Sequence, residues 1–292
     1  MYDRVIVPLD GSPLAEQVLP YVYVMARGLQ CPITLVRAYD LPANMDGVDG
    51  STLDRISDNL RHDAHSYLAR VNSLLAGIGS TVSVAERQGD AASIIVDEAE
   101  KGPNTLVMIS SHGRSGVTRW VMGSVAEKVL QATNNPLLIA RGQPTEGSSL
   151  IEGERKPEDW GSLVTIKKII VPLDGSPVSE QVIPHAMAFA GSLGVSLIPV
   201  RVSNSPSDDS ENTEYLNNIT KRFRDENLNS DVGEVLHGNP ATAIIEMTER
   251  IPDSLVAMTT RGRSGIQRWV MGSVTERVVR HSSTPALVIR AT

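Results

Sequence analysis

Short apolar runs alternate along this chain with longer stretches whose apolar residues recur every three or four positions. Residues 4–9, 33–38, 81–85, 105–109 and 137–140 are runs of the kind found in strands buried on both faces. Between the second and third runs, Leu53, Ile56, Leu60, Ala64, Tyr67, Leu68 and Val71 fall on one stripe, which predicts an amphipathic helix. Ser12 followed by Pro13 announces an earlier helix, because serine caps and proline tolerates the first helical position. Pro20 lies inside that helical pattern and predicts a bend there. A further helix is expected from about Ala91, and the S-x-x-E sequence at 124–127 predicts a capping box opening the last one.

The whole order then recurs. Residues 168–173, 196–202, 232–236, 255–259 and 286–289 read as strands, and a second S-x-x-E stands at 273–276. The repetition is also literal: VPLDGSP occurs at 7–13 and at 171–177, and GRSGVTRWVMGS at 113–124 returns as GRSGIQRWVMGS at 262–273. The offset between copies falls from 164 to 149, so the first copy carries 15 extra residues in its middle, part of them expected in a Gly- and Asp-rich loop at 44–51. Strands alternating with helices predict right-handed crossovers and a parallel sheet covered on both faces. The fold class is therefore α/β, with two tandem doubly wound domains at 1–145 and 165–292. A Gly-, Glu-, Ser- and Pro-rich linker is expected at 146–164.

Composition narrows the functions. A formal charge of −7 over 292 residues supplies no basic footprint for nucleic acid or an anionic membrane. Cys31 is the single cysteine, so no internal disulfide forms, and no Cys/His spacing suggests zinc. Its neighbourhood predicts a small buried residue rather than a reactive one. No apolar stretch is long enough to span a bilayer, and neither a signal peptide nor a disulfide pattern argues against a cytoplasmic, reducing setting.

Candidate chemistry lies at strand ends, where ligands bind in such sheets. Asp10 and Gly11 follow the first strand and Asp174 and Gly175 their counterpart. The loop after the fourth strand carries Ser110, Gly113, Arg114, Gly123, Ser124 and Val125, matched by Thr259, Gly262, Arg263, Gly272, Ser273 and Val274. A glycine-rich loop leading into a helix N-terminus favours a phosphate through free backbone N–H groups. Each element has a plainer reading: Asp-Gly-Ser is ordinary turn chemistry, Gly116 and Gly265 punctuate a loop, and Trp120 and Trp269 are packing anchors.

With these residues in view, the chain resembles the universal stress protein family, whose ATP-binding branch carries G-x2-G-x9-G-[ST] after the fourth strand. Both copies match three of the four positions and depart at the first glycine, replaced by Ser110 and Thr259. The resemblance implies strand order 3-2-1-4-5 and ATP, ADP or AMP as ligand. It also implies an acidic contact at Asp10 and Asp174, and adenine contacts at the backbone of Ala38 and Val202. Magnesium, if carried with the phosphates, would sit near Asp10 and Asp174, with no metal held by the protein alone. The two copies are expected to pair through their last strands as an intra-chain pseudo-dimer, and a homodimer of whole chains is compatible. The implied function is a stress-response signalling module rather than an enzyme. Two alternatives stand beside it, a slow ATPase and a nucleotide-free interaction scaffold. The sequence has no Walker G-x4-G-K-[ST], H-x-G-H or S-G-G-x-D-S pattern.

Overall fold

The computed structural model describes residues 2–42, 47–111, 122–141, 149–153, 156–203, 205–261 and 271–291. The first repeat runs β1 (Arg4–Pro8), α1 (Leu19–Leu29), β2 (Ile33–Tyr39), α2 (Gly50–Leu74), β3 (Val82–Gln88), α3 (Ala91–Glu100), β4 (Thr105–Ser110), α4 (Ser124–Ala132) and β5 (Leu137–Ala140). A connecting helix, α5 (Pro157–Leu163), follows. The second repeat runs β6 (Lys168–Pro172), α6 (Pro177–Glu180), α7 (Ile183–Leu193), β7 (Ser196–Ser203), α8 (Asp209–Asp225), β8 (Glu234–His237), α9 (Pro240–Arg250), β9 (Ser254–Thr259), α10 (Ser273–His281) and β10 (Ala286–Ile289).

All the strands join one sheet in the order β3-β2-β1-β4-β5-β10-β9-β6-β7-β8. Within each repeat every pairing is parallel and the order is 3-2-1-4-5. The repeats meet where β10 runs antiparallel to β5, with Leu287 opposite Leu138 and Ala286 opposite Ile139. That reversal puts the carboxyl ends of the two sets of strands at opposite ends of the sheet. One sheet face is covered by α1, α2, α7 and α8, around a core continuous through both repeats that includes Leu35, Leu68, Phe189 and Phe223. The other face carries α3, α4, α9 and α10 over Ile6, Val107, Val129, Val256 and Val278.

Four local expectations are corrected. Pro20 does not bend a long helix but divides it: a 3₁₀ turn at Ala15–Val18 ends, and α1 begins with Pro20 in its first turn. Pro184 does the same at α7, behind an α6 whose N-cap is Ser176. Proline has no N–H for the preceding turn, whereas its fixed φ suits the next first turn. The capping boxes do not form either. The N-caps are Gly123 and Gly272, and Ser124 and Ser273 are the first helical residues. Glu127 and Glu276 instead both take hydrogen bonds from Arg280, at 2.7 and 3.1 Å, tying α4 to α10 across the repeats.

The insertion in the first copy goes largely into helix. α2 has 25 residues and α8 has 17, and the Gly/Asp-rich segment supplies Asp49, whose carboxylate accepts the Thr52 N–H and caps α2. The N-terminal part of the expected loop, residues 44–46, lies outside the described residues. The connector is also more than a tether, since α5 buries Trp160 completely in the shared core. Nearby, a Cβ on Gly28 of α1 would come within 2.5 Å of the Ser192 carbonyl oxygen of α7, so only glycine permits that approach. The eighth strand starts at Glu234 rather than Val232, which is exposed.

Candidate functional site

β1 and β4 are parallel neighbours although α1, β2, α2, β3 and α3 separate them in sequence, so the direction in which strands are added to the sheet reverses between them. A crevice opens at their carboxyl ends, as the topology requires. In the first repeat it is a cavity of about 350 Å³. Asp10 and Leu9 form one wall, Ile109 and Ser110 the next, and Val36 and Ala38 of β2 with Ala91 and Ile95 of α3 the far side. The start of α4, Gly123 through Ala126, closes it. The lining is mostly aliphatic, with Asp10 its one titratable side chain among the described residues.

Backbone geometry accounts for the shape. The Asp10 carboxylate accepts the Ser12 N–H at 2.9 Å, holding a tight turn in which Gly11 has φ +85°. The second repeat repeats this with Asp174 and Ser176 at 2.9 Å and Gly175 at φ +80°. That positive φ selects glycine at both turns, and the guanidinium of Arg37 or Arg201 packs close, 3.0 to 3.1 Å from where a Cβ would stand. At the other wall the Gly123 N–H donates to the Ser111 carbonyl at 2.7 Å, and the Gly272 N–H to the Thr260 carbonyl at 2.7 Å. These bonds pull the start of each helix back against the strand end.

Because the helix-internal ladder begins with Glu127 N–H to Gly123 O, the N–H groups of Ser124, Val125 and Ala126 have no partner among the described residues. No side chain caps them, and they belong to the wall of the cavity. This is an uncapped, partly positive helix end facing a mostly apolar slot. The two hydroxyls that replace the motif's first glycine are engaged with backbone. Ser110 Oγ donates to the Leu14 carbonyl at 2.8 Å, and Thr259 Oγ1 donates to the Arg261 carbonyl.

The structure thus brings together Asp10, Ala38, Ser110, Gly123, Ser124 and Val125 around one cavity, with Gly11 at the adjoining turn. Asp174, Gly175, Val202, Thr259, Gly272, Ser273 and Val274 occupy the matching positions on the second repeat. Gly113, Arg114, Gly262 and Arg263 lie outside the described residues, as do Gly116, Trp120, Gly265 and Trp269. Among the described residues no group of three His, Cys, Asp or Glu side chains could hold a metal ion. Cys31 is buried, and that burial pushes its thiol pKa up.

On the opposite sheet face lies a network that the motifs did not reveal. Arg37 stacks its guanidinium over the Tyr67 ring at 4.7 Å, and Arg201 does so over Tyr215 at 4.9 Å. The tyrosine hydroxyls donate to Glu16 at 3.4 Å and Glu180 at 2.9 Å. Burial raises the pKa of both tyrosines. Arg37 and Arg201 share the offset of 164, but Tyr67 and Tyr215 are 148 apart, out of step with either repeat offset. The signal was therefore half visible: the arginines align, the tyrosines do not. In the first repeat Glu16 also accepts Ser149 Oγ at 2.8 Å and the Leu150 N–H at 2.7 Å, docking the connector. Desolvation raises the Glu16 pKa, with these hydrogen bonds opposing it.

The model of the universal stress protein family matches residues 1–141 and 165–290, the two repeats in turn. The chain belongs to the universal stress protein family. A universal stress protein of Mycolicibacterium smegmatis is 22% identical over 98% of this chain and 96% of its own length. One from Synechocystis is 24% identical over 96% and 97%. A Methanocaldococcus jannaschii universal stress protein aligns with one repeat's worth of sequence, 30% identical over 42% of this chain and 82% of its own. Among solved structures, a universal stress protein from Archaeoglobus fulgidus superposes with a TM-score of 0.75 at 20% identity, covering 99% of both chains. The tandem arrangement is thus shared with full-length relatives. No described helix is long and apolar enough to cross a membrane.

Proposed function

We propose that this universal stress protein binds ATP or a related adenine nucleotide in the crevice at the β1/β4 switch point, acting as a binding module whose occupancy is read by a partner. The observation that carries the reading is the cavity of about 350 Å³, an aliphatic slot ending on three backbone N–H groups that have no partner among the described residues. Its volume lies in the range of about 300–1,000 Å³ usual for small-molecule sites. A planar base suits the slot beside Ala38, and a phosphate suits the N-terminus of α4. Asp10 accepts from ribose hydroxyls in this reading. In this reading residues 1–145 and 165–292 are the binding units, joined at 146–164 and paired through β5 and β10 as a pseudo-dimer in the cytoplasm, with a homodimer of whole chains compatible.

Asp10 alone is too small a donor set for a protein-held metal, so any magnesium arrives with the phosphates. The same scarcity supports binding over turnover: among the described residues Asp10 is the one titratable side chain in the cavity wall. The test is to denature freshly purified protein and quantify released nucleotide by chromatography. Calorimetric titration of the emptied protein with ATP and Mg²⁺ then gives the affinity. Bound adenine nucleotide that is lost in Asp10→Ala/Asp174→Ala, with unchanged circular dichroism, supports the assignment. No bound nucleotide and no heat of binding would replace it with the empty scaffold, and turnover lost in the same double variant would make it an ATPase.

A further inference from the structure

The residues around the first cavity have counterparts in the second repeat that differ in one direction. Eight of the fourteen are unchanged, among them Leu9/Leu173, Asp10/Asp174, Gly123/Gly272 and Ser124/Ser273. Of the other six, five are larger in the second repeat and none is smaller. Ala38 becomes Val202, Ala91 becomes Pro240, Ala126 becomes Thr275, Ala15 becomes Ser179 and Ser110 becomes Thr259, while Ile109 and Met258 have equal numbers of atoms. Together the five add eight heavy atoms around one slot.

The added atoms occupy built positions. Thr275 is buried, and its hydroxyl donates to the Thr259 carbonyl at 2.8 Å, bridging the first turn of α10 to the end of β9. That bridge lies where the first repeat has only the methyl group of Ala126 between helix and strand. Thr259 is buried too, its hydroxyl turned to the Arg261 carbonyl. Pro240, in the first turn of α9, brings a ring and removes the N–H that Ala91 has in the first repeat. The bulk added at Val202, Pro240 and Thr275 narrows the slot of the second repeat relative to the cavity of about 350 Å³ in the first.

Resting on the nucleotide reading above, we infer that the two sites have diverged: the first repeat holds the nucleotide, and the second keeps the turn and helix frame around a slot filled by its own side chains. The residues that set this difference are Val202, Pro240 and Thr275. The chain therefore binds one adenine nucleotide, not two.

The experiment counts nucleotide per full-length chain by calorimetry with ATP and Mg²⁺ after stripping, on three proteins. The parent protein is expected to bind one equivalent. Ala38→Val/Ala126→Thr, which copies the second slot into the first, is expected to lose at least tenfold in affinity. Val202→Ala/Pro240→Ala/Thr275→Ala, which opens the second slot, is expected to gain a second equivalent. Gain of binding cannot come from misfolding, so this variant keeps the inference testable if the first fails to fold. Two equivalents in the parent would overturn the divergence while leaving the nucleotide reading intact. One equivalent that survives closure of the first slot would also overturn it. No equivalent in the parent and none in the opened variant would instead remove the nucleotide reading itself.

Discussion

In the first repeat Glu16 is buried beneath Ser149, Leu150 and Ile151, whereas its counterpart Glu180 is half-exposed and takes a hydrogen bond from the Tyr215 hydroxyl. The surrounding letters are closely similar in both copies: each glutamate follows a VPLDGSP segment after two intervening residues and precedes Gln-Val. Closely similar local sequence has thus been given two environments by what arrives from elsewhere in the chain. The connector folds back on the first repeat, where α5 also lies against α1, and it leaves the second repeat's glutamate uncovered. The cavities teach the same lesson in reverse. There the frame is shared, and small differences in side-chain size decide what space remains.

The comparison can be broken most severely at Trp160. Trp160→Ala removes the largest fully buried side chain of the connector and is expected to lower unfolding stability by about 3–5 kcal/mol, measured by urea titration. Hydrogen exchange should speed up in α1 more than in α8, because α5 packs on α1. Equal acceleration in both helices would mean that the connector supports both repeats alike. Next in size is the glutamate pair. Glu16→Ala leaves the Leu150 N–H and Ser149 hydroxyl without their acceptor and is expected to cost about 1–3 kcal/mol. Glu180→Ala should cost less than about 1 kcal/mol, since water can reach the Tyr215 hydroxyl it leaves behind. Equal losses would erase the asymmetry.

A smaller effect concerns the seam between repeats, where the Tyr2 hydroxyl bonds His185 Nδ1 at 2.8 Å and the Tyr2 ring meets Phe189 edge-on. Burial holds the His185 pKa below its ordinary value of 6.5. The neutral ring is therefore the folded form. As pH falls below about 6.5, the unfolded chain gains a proton that the folded one resists, and stability drops by at most about 1.4 kcal/mol per pH unit from this group. His185→Gln should flatten the melting temperature between pH 7 and pH 5.5; an unchanged slope would place the pH sensitivity elsewhere. Smallest of all, Ser124→Ala and Ser273→Ala should alter stability by no more than about 0.5 kcal/mol, because glycine holds the N-cap. Ser176→Ala, which removes a working cap from the Ser179 N–H, should cost about 1 kcal/mol.

Much of the fold was legible because both repeats obey simple periods. Residues such as Val5, Ile6 and Val7 are buried on both sheet faces, and Ala64, Tyr67, Leu68 and Val71 line one helical stripe, so strand and helix signals did not compete. Boundaries were less legible where a residue type permits two roles. Ser124 reads as a cap, yet the Gly123 N–H reaches the Ser111 carbonyl and moves the cap one residue earlier. Pro20 reads as a bend, but it opens a helix. The site's motif was visible and its walls were not. Ala38, Ala91 and Ile95 come from β2 and α3, far from the glycine loop in sequence, and only the folding of β2 and β4 to either side of β1 brings them to the same cavity as Ile109. The Arg37–Tyr67–Glu16 network escaped for a related reason, since the longer α2 puts the tyrosines out of step with the repeat.

The seam between β5 and β10 lies within one chain, and that changes what dilution does to it. Two separate chains joined along such an edge would part as their concentration fell, whereas a covalently linked pair keeps its partner at a fixed local concentration. The β5 edge therefore stays shielded whether the protein is scarce or abundant. The second repeat performs that shielding with β10 alone, independently of anything at the carboxyl ends of β6 and β9. Its loops are consequently free to drift while its last strand is held to account.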